Sequence, residues 1–355
     1  MRTIGHLEQL ELTLTALGPV FVGCGKKYGK KEYIFLPGRS STVLLPKETD
    51  FFPYLVEHGL VDKYESYMLG AGTSSLRDFL KMDCRMSDEQ IRQLCPYALS
   101  AEEALDANHS LKEINAFIRD AYGQVYVPGS SLKGALRTIL LFEKVLTEHR
   151  DRPLSAKNFP EWQYFHPLRL NPKRSEDAVN SILRGIQVSD SEPIDDSAMM
   201  LAGKSDFSVE GREKKINLCR ECIRPGTKIR FRLTLDNSVL KGRITAESIR
   251  RALECFDEYY LDHYLCRFTS PYSMPDIDFS QVLFLGGGAG YFSKTVSYPY
   301  CGQLGLSEVC RQMQGKFRNH YHHLDEEKGI SPHTMKYALY HGLYYPYGLC
   351  KVEMQ

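Results

Sequence analysis

"YVPGSSLKGALRTILL", residues 126–141, is the stretch whose reading decides the fold. Tyr126 and Val127 have strand character, Pro128-Gly129 interrupts it, and a helical period begins within two serines. Leu132, Ala135, Leu136, Ile139 and Leu146 fall on one stripe, so the spacing predicts an amphipathic helix over 131–149 with Ser130 as its N-cap. Lys133, Arg137 and Lys144 gather to one side of that stripe. Glu143 falls inside it, which calls for a charged partner or a nearby helix end. The first turn of a helix presents unpaired N–H groups and the positive end of the helix dipole. With two serine hydroxyls, Lys133 and two glycines, residues 129–134 read either as an anion seat or as a capped helix with ordinary surface charge.

Outward from this helix, "LELTLTAL" (10–17) alternates Leu10, Leu12 and Leu14 with polar residues, the pattern of a half-buried strand. "GTKIRFRLTLD" (226–236) alternates again, with Ile229, Phe231, Leu233 and Leu235 inward and Lys228, Arg230 and Arg232 outward. Its "RLTLD" echoes the "ELTLT" of the first strand. Further strands are expected at 33–36, at 41–46 after a Pro37-Gly38 turn, at 185–194 and before the glycines at 286. A second helix, capped by Thr245, carries Ile249, Leu253, Phe256 and Tyr260 on one face, and a third helical segment begins near Leu306. Residues 48–120 read as an inserted helical subdomain and 150–177 as a long irregular connection. Strand, helix and strand pieces thus occur twice, each set with one well-marked helix. That predicts an α+β chain of two units, 1–205 and 206–355, with the polar stretch 201–215 as the boundary.

The chain has 355 residues, 43% hydrophobic and 25% charged, with a net charge of +1, so any polyanion must be met by local patches. The alternating N-terminus and the lack of a long apolar run predict a cytoplasmic protein without a signal peptide or membrane span. Its ten cysteines then read as reduced thiols. Cys219 and Cys222 form a lone C-x-x-C, which zinc would have to complete from elsewhere, "HYHH" (320–323) being one source. Buried thiols are the alternative.

Familiar catalytic motifs come close and fail. Gly129 and Gly134 have P-loop spacing, but Ala135 stands where the lysine belongs. Ser130-x-x-Lys133 lacks the companion motifs of penicillin-binding enzymes. In "GGGAGY" Tyr291 replaces the third glycine of a dinucleotide fingerprint. What remains is three segments of shared chemistry: "GCGKKYGKK" (23–31), "GSSLKG" (129–134) and "GGGAGYFSK" (286–294). Each joins glycine, which lets main-chain amides fold round a phosphate, to lysine, which neutralises charge without reading a base. Tyr28, Tyr291 and Phe292 could stack on exposed bases. Together they point to an extended polyanion such as single-stranded RNA.

"YVPGSSLKGALRT" (126–138), "TALGPVFVGCG" (15–25) and "FLGGGAGYFSKT" (284–295) resemble the first helix, first glycine turn and C-terminal glycine loop of the RAMP superfamily of CRISPR proteins. "EYIFLPG" (32–38), "IQVSDSEPI" (186–194) and "ECIRPGTKIRF" (221–231) are similar to the branch that supplies the fifth-numbered subunit of type III-A Csm effector complexes. The resemblance implies two tandem ferredoxin-like (RRM-like) domains with the helical insert, about 48–120, in the first. It also implies a non-catalytic subunit at the 3′ end of the CRISPR RNA (crRNA), supporting crRNA maturation and antiviral defence. Its partners would be that single-stranded RNA, other Csm subunits (the backbone RAMP subunit and the small subunit above all) and separate host nucleases that trim the guide. The implied RNA contacts are Gly23, Gly25, Lys26, Ser130, Ser131, Lys133, Arg137, Gly286, Gly287, Gly288 and Lys294, with no cofactor, metal or catalytic residue. The alternative is a RAMP-type endoribonuclease cutting repeat RNA with a histidine as general acid or base, from His6, His109, His149 or His166.

Overall fold

The computed structural model describes residues 2–36, 41–72, 74–105, 111, 113–148 and 161–355. The Pro37-Gly38 turn, His109 and His149 lie outside the described residues.

The alternation read at 10–14 forms the strand Leu7–Ala16, central in a six-stranded sheet. On one side it pairs antiparallel with Lys228–Asp236, and the sequence echo meets itself: Leu10 lies opposite Leu233 and Leu12 opposite Phe231. Ile186–Val188 follows beyond that strand. On the other side come Leu349–Met354 and then Val282–Phe284, also antiparallel, and Arg2–Ile4 folds back on Leu7–Ala16. Leu10, Leu12 and Leu14 are buried, as are Ile229, Phe231, Leu233 and Leu235.

Two helices pack together over this sheet. The first runs Gly129–Glu148, starting two residues earlier than its apolar stripe predicts. The second is Ala246–Tyr259, where the Thr245 hydroxyl accepts the Ser248 N–H at 3.1 Å, so the predicted cap is present. Phe142 meets Phe256 edge-on at 5.4 Å, and Phe256 in turn meets Phe284 of the sheet at 6.2 Å. Glu143, the misfit in the stripe, is buried at this contact and accepts a hydrogen bond from Arg251 Nε at 2.9 Å. The partner demanded by the pattern comes from the other helix.

A second six-stranded sheet has the order Leu343–Pro346, Thr334–Tyr340, Met199–Ser208, Glu213–Ile223, Ile114–Phe117, Gly23–Tyr28. The stretch 201–215, expected as a boundary, is the outer part of the hairpin between Met199–Ser208 and Glu213–Ile223. Its polarity reflects a solvent-facing hairpin end, where residues 213–215 are exposed. Both large sheets take strands from either side of residue 205. The α-helices described in the insert lie between Glu48 and Leu94, with their own core of Phe51, Leu55, Leu76, Phe79, Leu80 and Ile91, and a single 3-10 turn follows at Glu102–Ala104. After the α-helices the chain returns as strand Tyr97–Ser100, which joins Thr42–Leu45 and Ile34–Leu36 in a small third sheet. Among the described residues no helix is long and apolar enough to cross a membrane.

The Glu143–Arg251 contact gives the fold a direct test. Arg251→Ala leaves a buried carboxylate with only Lys144, 3.2 Å from its other oxygen. The expected loss is roughly 1.5–3 kcal/mol, the usual range for a hydrogen bond to a charged group. Glu143→Met should cost less, because Arg251 is half-exposed and can turn to water. Urea midpoints at constant slope measure both, and the reverse ranking would contradict this account.

Candidate nucleic-acid interface

The first and third glycine segments meet. Phe21 and Gly286 form a parallel bridge, and Gly287 N–H donates to the Phe21 carbonyl at 2.6 Å. Gly286 has φ +76°, and a Cβ there would stand 2.1 Å from the Phe21 oxygen, so only glycine fits. Residues Gly23–Tyr28, the start of the first glycine–lysine segment, are an edge strand whose register slips between Gly23 and Lys27, with Gly25 at φ +86° in the bulge. Gly23, Gly25 and Lys26 face solvent.

Cations surround the third segment unequally. Lys294 Nζ donates to the Gly286 carbonyl, and burial, then the nearby Arg220 charge, pulls its pKa down. Arg220 stands under Gly288, where a Cβ would lie 3.1 Å from its Nη1. That Nη1 is covered and has no hydrogen-bond partner among the described residues. The guanidinium sits 5.2 Å from the Phe21 ring centroid and 5.4 Å from that of Tyr347. Lys336 reaches Gly290 but is paired with Asp206 at 2.8 Å.

The helix start is differently built. Gly129 is wedged against 188–189, with a Cβ position 2.3 Å from the Val188 oxygen, and its N–H donates to Asp190 Oδ1 at 2.8 Å. The carboxylate at this end of the helix therefore comes from the chain itself. Ser130 lies inside the first turn, since the helix begins at Gly129. Ser131 N–H goes to the Pro128 carbonyl at 2.9 Å. Lys133 Nζ donates to the Ile186 carbonyl at 2.7 Å, and burial lowers its pKa.

The candidate cations thus divide into two groups. Lys26 pairs with Glu48, Lys27 with Glu113 at 3.0 Å, and Arg137 with Glu161. Lys133, Lys294 and Arg220 have no ion-pair partner among the described residues. Arg220 is the residue that sequence reasoning missed. The available signal was a charge inside the C-x-x-C of an otherwise alternating strand. Cys219 and Cys222 themselves are both buried, but three residues apart on one strand they point to opposite faces and cannot share a metal. Of the histidines, His6 Nε2 is 3.7 Å from Asp236, and His166 Nδ1 is bonded to the Ser175 carbonyl at 2.9 Å.

The RAMP superfamily profile matches residues 13–293. The chain belongs to the RAMP superfamily. Within it, curated relatives are Csm5 proteins. "CRISPR system Cms protein Csm5" of Streptococcus thermophilus is 31% identical, covering 81% of this chain and 79% of that one. The Mycobacterium tuberculosis protein of the same name is 27% identical over 99% of this chain and 98% of its own. Two solved structures share the fold. A chain of the cryo-EM structure of a type III-A Csm–crRNA–target RNA ternary complex has TM-score 0.64 at 17% identity, covering 97% of this chain and 100% of that one. The crystal structure of T. onnurineus Csm5 has TM-score 0.56 at 16% identity, covering 96% and 99%.

The matched RAMP segment contains the first two glycine segments, Arg220 and residues 286–293 of the third, and stops one residue short of Lys294. Its joint at Phe21 predicts that Gly286→Ala, which combines left-handed strain with overpacking, destabilises the protein by about 2–5 kcal/mol. Gly134→Ala, where a Cβ meets nothing within 4 Å, should be neutral or stabilising. Thermal melts of the two variants read the contrast, and equal midpoints would refute the close approach.

Proposed function

We propose that the chain is a non-catalytic RNA-binding subunit of a type III-A Csm effector complex, gripping the 3′ end of the crRNA by its sugar–phosphate backbone. In that role it supports crRNA maturation and antiviral defence in the cytoplasm. It docks against the backbone RAMP subunit and the small subunit, while separate host nucleases trim the guide. The observation that carries this reading is the group of cations without counter-charge, Lys294 and Arg220 at the Phe21–Gly286 joint and Lys133 on the first helix. An uncompensated cation that is half-buried, as Lys133 and Arg220 are, is unfavourable alone and is relieved by an anion, while Lys294 is exposed beside them. Phosphate is the anion that every nucleotide carries, so the grip is indifferent to sequence.

Gly23, Gly25, Gly286, Gly287 and Gly288 supply main chain that a backbone can approach, and Ser130 and Ser131 supply hydroxyls. Lys26 and Arg137 belong to the contact only once RNA displaces Glu48 and Glu161. The exposed Lys26–Glu48 pair is worth about 0–1 kcal/mol, so its displacement is cheap, whereas the bidentate Arg137–Glu161 pair is the harder one to displace.

The test is RNA affinity against salt, for the assembled complex and for the chain alone. Lys133→Ala, Lys294→Ala and Arg220→Ala should each weaken binding equally for all sequences and lower the salt slope by about 0.7 per lost phosphate contact. Lys26→Ala and Arg137→Ala should do less. Loss confined to particular sequences, or no loss, contradicts phosphate gripping. Specific cleavage of repeat RNA, abolished by one histidine substitution, would instead establish the endoribonuclease.

A further inference from the structure

Outside the RNA reading, the C-terminal part of the chain brings together a buried cluster that neither the fold nor the proposed grip requires. His322 Nδ1 lies 2.8 Å from Asp325 Oδ2, and His333 Nδ1 lies 2.6 Å from Asp325 Oδ1. The two imidazole centroids are 5.1 Å apart. Asp325 and His322 are buried, while His333 is half-buried at the rim. The three ligand-type atoms lie within 4.8 Å of one another. We propose that His322, Asp325 and His333 form a structural site for a first-row divalent metal, zinc by ligand type, that staples the segment between 322 and 333.

The chemistry supports an ion in three ways. Two imidazoles and a carboxylate are a borderline nitrogen and oxygen donor set suited to zinc. The ligands come from one short segment with spacing His-x2-Asp-x7-His, so ordering twelve residues closes the site. Tetrahedral zinc, with ligand distances of about 2.0–2.2 Å, separates its donors by roughly 3.3–3.5 Å. The two contacts of Asp325, 2.8 Å to His322 and 2.6 Å to His333, would each open by less than an ångström to admit the ion. The fourth ligand would be a water or Cys310, a buried thiol near Ser331 and Asp325. Ser331 Oγ, donating to Asp325 Oδ2 at 2.6 Å, orients the carboxylate from behind. This site uses one histidine of the "HYHH" run. It leaves His320 and His323 exposed and does not involve Cys219 or Cys222.

The untagged full chain should carry about one zinc after purification and dialysis, and lose melting temperature on chelation. Co2+ substitution should give the intense visible bands of a tetrahedral site, with a sulfur charge-transfer band if Cys310 joins. His333→Ala should abolish metal retention, and His320→Ala with His323→Ala should leave it intact. Retention by His333→Ala together with loss in the double variant would assign the ion to surface histidines and overturn the proposal. No bound zinc, and no shift of melting temperature with added Zn2+, would reduce the cluster to a hydrogen-bonded knot. Should His333→Ala fail to fold, the Co2+ spectrum of the unaltered chain decides, a weak octahedral spectrum counting against the site.

Discussion

Four consecutive residues, Pro19 to Val22, hold the molecule together by main-chain hydrogen bonds to four different segments. The Pro19 carbonyl takes Gly348 N–H at 2.8 Å, and Val20 exchanges two bonds with Ile223 at 3.0 and 2.9 Å. The Phe21 carbonyl takes Gly287 N–H at 2.6 Å and the Val22 carbonyl takes Ile118 N–H at 2.8 Å. This short crossing leaves the first sheet at Ala16 and enters the second at Gly23. It therefore fixes where both sheets, the C-terminal strand and the glycine turn stand relative to one another. Side chains would obstruct it: a Cβ on Gly18 would lie 1.8 Å from the Pro346 oxygen, and one on Gly286 2.1 Å from that of Phe21. Glycine here serves close packing of backbones, and the open main chain offered to a ligand is a consequence of that packing.

The charge at the crossing follows from the alternation of one strand. In Glu213–Ile223, neighbouring Arg220 and Glu221 point to opposite faces. Glu221 is fully buried and fully used: Tyr97 Oη at 2.6 Å and Arg119 Nη2 at 2.7 Å donate to one oxygen, and Phe117 N–H at 2.9 Å to the other. That network ties the small third sheet to the second large one. It also means that the acid next in sequence to Arg220 cannot neutralise it. Leaving a covered donor unpaired costs about 1–3 kcal/mol, a strain that the rest of the fold must offset.

How much of this was legible depends on whether the information was periodic. The Leu10, Leu12, Leu14 and Ile229–Leu235 alternations were enough for the two central strands, and the apolar stripes and Thr245 cap for the two helices, whereas the Glu143 misfit asked only for a partner or a helix end and did not point to Arg251. The 201–215 hairpin was misread because a solvent-facing hairpin end has the same polar, glycine-containing composition as a linker. The start of the Gly129–Glu148 helix depends on Asp190, sixty-one residues away, which no local pattern encodes. The pairing of Lys26 with Glu48 and of Arg137 with Glu161 is equally non-local. A count of lysines beside glycines therefore could not separate compensated cations from uncompensated ones, and Arg220, which has no glycine beside it in sequence, escaped it altogether.

The near-neutral composition then acquires a physical meaning. Forty-five basic and forty-four acidic residues largely cancel, and the structure shows that cancellation at Lys26 and Lys27 of the edge strand and at Arg137 of the first helix. On the proposed function only a few phosphates meet uncompensated charge. Three such contacts correspond to a salt slope of about 2 on single-stranded RNA, well short of a polycation's. A grip of that size holds a strand whose path is already fixed, and holds poorly a strand free in solution. On that same proposal, such sparse charge would leave the isolated chain a weak RNA binder and would suit a subunit that closes one end of an assembly, where neighbours supply the remaining contacts and the glycine crossing supplies position more than affinity.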